Sequence, residues 1–82
     1  MITVERIKCR WKVTIDGGLY YMNRFGVVWQ EEPIDWMPGW VDMQFVPREI
    51  VNAVQKAVTD AGYPCHWNRG EPVWQAKQIV SV

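Results

Sequence analysis

Arg6-Ile7-Lys8-Cys9-Arg10-Trp11-Lys12-Val13-Thr14-Ile15-Asp16 alternates polar and apolar side chains without interruption. A period of two belongs to a half-buried β-strand, because successive side chains of a strand leave opposite faces. On this reading Ile7, Cys9, Trp11, Val13 and Ile15 line a core. Arg6, Lys8, Arg10 and Lys12 then form a row of cations spaced roughly 6.6 Å apart on the opposite face. Asp16-Gly17-Gly18 follows as a tight turn, since glycine accepts positive φ at no steric cost, and a hairpin results with residues 19–22 returning. Asn23-Arg24-Phe25-Gly26 reads as a second turn and residues 27–30 as a third short strand; one long strand over 19–30, bulged near Gly26, fits the same pattern.

Further along, residues 31–40 have no period and contain Pro33, Pro38 and Gly39, the composition of a loop, although an unusually apolar one. Residues 41–46 alternate again, with Val41, Met43 and Phe45 on one face. Pro47 suits the first helical position and Glu49 the positive end of the helix dipole. A helix is therefore expected over about residues 47–61, with Ile50, Val51, Val54, Ala57, Val58 and Ala61 as its apolar stripe and Gly62 as its stop. Residues 65–67 read as a strand, 68–72 as a turn, and 73–82 as a closing strand with Trp74, Ala76, Val80 and Val82 on one face. The order gives an α+β fold, a small antiparallel sheet of about four to six short strands with one amphipathic helix packed on one face.

Eighty-two residues, 49% of them hydrophobic and 22% charged, suit one compact domain over residues 1–82. Such a domain buries only about 60% of the surface its unfolded chain exposes, so a partner or a second copy that covers more would add stability, and a homo-oligomer is an open expectation. Nine basic and nine acidic residues cancel, which removes the long-range attraction a nucleic-acid or membrane binder normally has. Their distribution is uneven: cations crowd the first 24 residues, and Glu31, Glu32, Asp35, Asp42 and Glu49 dominate the next 25. No stretch has the apolar length of a signal peptide or a membrane span, so the expected setting is cytoplasmic, without membrane contact. Cys9 and Cys65 are then reduced and read as small buried apolar residues. With His66 they fall short of the four ligands of a structural zinc site, and neither a metal nor a cofactor is expected.

Catalytic signatures are missing. Nucleophilic catalysis needs a nucleophile, a base and a group that orients the base, and the chain has one histidine and one serine. Cys65 and His66 are neighbours on a strand and point to opposite faces. Glu31, Glu32, Asp35 and Asp42 read as solvated loop acids, and Gly17-Gly18 precedes no helix that could cradle a phosphate. The chain is read as non-enzymatic.

Six tryptophans in so short a chain are more than its core can hold, since each indole buries up to about 250 Å² and wants a partner for its N–H. Trp11 and Trp74 fall on core faces by parity. Trp36 and Trp40 flank Met37-Pro38-Gly39 on the irregular stretch; of the six they are the indoles expected to stay partly exposed, as anchors of the kind that dominate protein interfaces, the equal alternative being that the loop folds back to close one end of the core. The leading expectation is a small binding protein that acts stoichiometrically on a larger protein partner. Trp36, Met37 and Trp40 would dock, with Asp35 and its neighbouring acids steering the encounter. An adaptor, or an inhibitor of the kind mobile elements carry, has this profile by analogy. The alternative is a nucleic-acid-binding module using Arg6, Lys8, Arg10 and Lys12, because an extended cationic row matches a nucleic-acid backbone and Tyr20 or Trp67 could stack on bases.

Trp11, the run Asp16 to Asn23, Trp29 and Pro33 together resemble the ordered signature of a WW domain. That resemblance implies a groove for proline-rich ligands at Tyr20 and Trp29, and a buckle of Trp11, Tyr21 and Pro33. The spacing departs from the family on both sides of Trp29, Arg24 stands where a histidine is usual, and half the chain is left over, so the likeness is read as a coincidental aromatic hairpin.

Overall fold

Residues 1–76 are described by a computed structural model of the chain. Strands β1 (Ile2–Ile7), β2 (Arg10–Ile15), β3 (Gly18–Asn23), β4 (Val28–Pro33) and β5 (Val41–Phe45) form one antiparallel sheet in chain order. Helix α1 (Arg48–Asp60) packs on it, and β6 (Cys65–Asn68) with β7 (Glu71–Trp74) makes a separate two-stranded ribbon. This is the α+β architecture that the sequence pattern predicts.

The opening stretch is where the structure departs most from expectation. Residues 6–16 are not one strand, because Lys8 adopts a left-handed φ of 55° and the chain reverses at Lys8-Cys9. A two-residue reversal pairs Ile7 with Arg10 and Arg6 with Trp11, so even-numbered residues of β1 share a face with odd-numbered residues of β2. The alternation runs through the turn unbroken, but its meaning inverts there. Trp11 and Val13 are fully buried as predicted, whereas Ile7 moves to the opposite face and Cys9 lies exposed at the turn. Arg6, expected in solvent, lies on the helix side with its guanidinium 4.2 Å from the centre of the Trp11 ring. The second turn is Asp16-Gly17, both at positive φ, and Gly18 already belongs to β3.

Trp11, Val13, Met22 and Val28 meet Val54, Ala57 and Val58 of α1, together with Tyr63 and Trp74, in the main core. The helix stripe is as the sequence dictates. Its end is a Schellman motif in which Gly62 (φ 99°) donates to the Thr59 carbonyl and Tyr63 to that of Val58. Contacts of α1 fall mainly on β1, β2 and β3, and of β4 its first residue, Val28, joins the core cluster with the helix.

Two further boundaries shift. Residues 31–33, expected in a loop, continue β4 and pair with β5 as far as Pro33↔Val41. Of the expected closing strand, β7 ends at Trp74 and Ala76 is exposed outside it; residues 77–82, Val80 and Val82 among them, lie outside the described residues.

Candidate functional site

The β4–β5 hairpin leaves the sheet as an arm. β3 and β4 pair only at Tyr21↔Trp29 and Met22↔Val28. Beyond that point the strands splay, and the Gln30 side chain reaches the Leu19 carbonyl at 3.4 Å in place of a ladder bond. The opening is a shallow cleft of about 500 Å³ whose lining includes Leu19, Tyr21, Gln30, Glu31, Glu32 and Phe45. Its acids are not paired, for Glu31 and Glu32 leave opposite faces of β4.

The tip, residues 34–40, is built from two successive turns. Met37 N–H donates to the Ile34 carbonyl at 3.1 Å and Trp40 N–H to that of Met37 at 3.0 Å. Pro38 and Gly39 hold the central positions of the second turn, where Gly39 takes a φ of 86° that a type II turn requires. Ile34 N–H closes the loop onto the Trp40 carbonyl at 3.1 Å. The loop is therefore a bonded platform, and it holds Trp36 79% and Trp40 64% exposed. Met37, between them, is half-buried, and Asp35, just before Trp36, is exposed. All four residues expected to bind a partner stand together on this one tip.

The cationic row does not assemble. Arg6 stacks on Trp11 on the helix side with its Nε donating to the Lys8 carbonyl at 2.6 Å, and Lys8 sits in the turn. Arg10 pairs with Glu31 at 3.1 Å on the face opposite the helix. Of the four cations, only Arg10 and Lys12 share a strand face, because the reversal at Lys8-Cys9 divides the set.

That opposite face holds a cluster the sequence pattern did not reveal. Tyr21 and Trp29 stack with ring centres 6.1 Å apart, Arg10 lies 4.7 Å over Tyr21, and Glu31 accepts both from Arg10 and from the Trp29 indole N–H at 3.4 Å. Trp29 is thereby buried without the helix. Glu31, expected as a loop acid, is a structural partner at the root of the arm. The signal for it was faint: Arg10 and Glu31 become neighbours only through registers that β2, β3 and β4 set jointly.

No family model matches this chain, and no curated protein or solved structure matches it. The aromatic arrangement also differs from a WW groove, since Tyr21 rather than Tyr20 stacks on Trp29 and Trp11 packs against Tyr63 at 5.4 Å. Among the described residues no cluster of His, Cys, Asp and Glu could hold a metal ion, and no helix is long and apolar enough to cross a membrane.

Proposed function

We propose that this chain is a non-enzymatic binding module that docks stoichiometrically on a larger protein through the tip of the β4–β5 arm. The exposure of Trp36 and Trp40 on a hydrogen-bonded loop carries this reading. A loop whose backbone is already hydrogen-bonded needs little further ordering when its indoles enter a pocket, so more of their burial counts toward affinity. Between Glu31 and Pro47 the arm carries Glu32, Asp35 and Asp42 at its surface and no Lys or Arg. The complementary partner surface is an apolar pocket with a basic rim, and the acids raise the association rate at low salt.

Partner capture from lysate with the tagged chain tests the proposal. Trp36→Ala combined with Trp40→Ala is expected to lose the specific partner while the domain stays folded. Retention of every partner by the double variant would overturn it.

A further inference from the structure

We propose that a second copy of this chain pairs with β5, edge to edge and antiparallel, about a two-fold axis at Met43, so that two sheets become one. Every residue of β5 is exposed, and among the described residues the strand has a single hydrogen-bonded neighbour. Natural edge strands are blunted by Lys, Pro, bulges or cover. Val41-Asp42-Met43-Gln44-Phe45 has no Lys, Pro, bulge or cover and a single charge, Asp42, and Val41, Met43 and Phe45 stand 45%, 52% and 88% exposed on one face.

The backbone phase selects the register. Ile34 and Trp40 form a hydrogen-bonded pair, and alternation along the ladder then directs the peptide groups of Asp42 and Gln44 at β4. Those of Val41, Met43 and Phe45 face the open edge. Centring the axis on Met43 sets Met43 opposite Met43 of the other copy and Val41 opposite Phe45, which are the residues whose N–H and C=O groups are free to bond. Side chains agree with this register. Asp42 falls opposite Gln44, so the bond that Gln44 donates to Asp42 within each strand at 3.1 Å sits beside the same pair of the other copy, and on the other face Val41 of one copy extends the Trp29, Phe45 row of its mate. The neighbouring registers fail in chemistry: an axis at Asp42 sets two carboxylates face to face, and one at Gln44 pairs Val41 with Pro47, which has no N–H.

A second copy is also the occupant that closes. β1, the other free edge, carries Glu5 and Arg6, and joining β1 to β5 would propagate an open chain, whereas β5 with β5 is isologous and ends at two. The contact is a narrow strip, so the dissociation constant is expected in the micromolar range, of order 10⁻⁶ to 10⁻⁴ M. The pairing is independent of the docking role proposed for Trp36 and Trp40, whose test reads a different molecule.

Sedimentation equilibrium across a concentration series is expected to give a monomer–dimer equilibrium for the wild type. Met43→Pro removes an N–H that only the second copy uses and should weaken the dimer more than about 100-fold while far-UV circular dichroism is kept. Asp42→Asn, which removes the one charge on the strand, should tighten it. In a Cys9→Ser, Cys65→Ser background, Met43→Cys should cross-link on mild oxidation and Val41→Cys should not, since only position 43 meets its own copy; this arm decides the matter should Met43→Pro fail to fold. A wild type that is monomeric at the highest concentration, larger open assemblies, a dimer unaffected by a folded Met43→Pro, or cross-linking no better at 43 than at 41 would each overturn the proposal.

Discussion

Arg6 and Trp11 face each other across the β1–β2 hairpin, the guanidinium 4.2 Å from the ring centre, and Arg6 also donates from Nε to the Lys8 carbonyl at 2.6 Å. One side chain therefore caps the edge of the core and ties the turn. Removal of both contacts by Arg6→Ala is expected to cost about 1–2 kcal/mol, the range for a partly desolvated cation on an indole together with its packed stem. Arg6→Met keeps the stem and should recover roughly half of that loss. Urea denaturation of the two variants separates the contributions. Equal stability of wild type and Arg6→Ala would mean the stacked arrangement contributes nothing.

Lys8 holds a φ of 55°, a left-handed backbone that asparagine tolerates better than lysine. Lys8→Asn is accordingly expected to stabilise the protein by about 0.5 kcal/mol. Its long side chain is exposed, so little packing is lost in exchange. A drop in the melting temperature on this substitution would contradict the strain argument.

The same turn explains what the sequence could and could not reveal. Parity placed Trp11 and Val13 in the core, and the helix stripe placed Val54, Ala57 and Val58 against them, because each set lies within a single element. Parity failed for Arg6, Ile7, Lys8 and Cys9 because a reversal without Gly, Pro or Asn leaves the polar–apolar alternation intact while exchanging the faces. Glu31 and Glu32 were hidden for another reason. β4 continues through them and Pro33 because they pair with β5, a tertiary circumstance that outweighs the poor strand propensity of Glu and Pro. The tip was half legible: prolines and a glycine in a short aperiodic stretch mark residues 34–40 as a loop, whereas the exposure of its indoles depends on whether the loop folds back over the core, which the pairing of β4 with β5 decides.

Gly26 is buried at the junction of three elements, with its carbonyl accepting from Gln55 Nε2 at 3.0 Å and the adjacent Arg24 carbonyl accepting from Trp74 N–H at 2.7 Å. A Cβ placed there would lie 2.6 Å from the Trp74 ring, and the φ of 82° is costly for any L side chain. Gly26→Ala is thus expected to destabilise by about 2–4 kcal/mol, strain and overpacking together. Gly39→Ala is the internal control: its φ is similar at 86° but a Cβ would meet nothing within 4 Å. The control should cost only about 1 kcal/mol. Guanidinium titration of both variants checks the difference, and equal losses would refute the close packing of Gly26 against Trp74.

Tryptophan fluorescence divides the indoles into two classes that the fold sets physically. Trp11, Trp29 and Trp74 are buried, while Trp36, Trp40 and Trp67 are exposed. Acrylamide and iodide should therefore quench one fraction of the native emission readily and leave a second, blue-shifted fraction protected. Trp36→Ala with Trp40→Ala should remove most of the quenchable fraction. Neither indole belongs to the core cluster and both are mostly exposed, so the melting temperature is expected to move by less than about 4 °C, the shift that roughly 0.5–1 kcal/mol gives in a domain of this size. Iodide, being an anion, should quench the arm's indoles less efficiently than acrylamide at low ionic strength, because the arm also carries Glu32, Asp35 and Asp42 at its surface, and added inert salt should narrow the gap. Quenching insensitive to both substitutions would place the indoles against the body of the protein and remove the physical basis for the tip as an anchor.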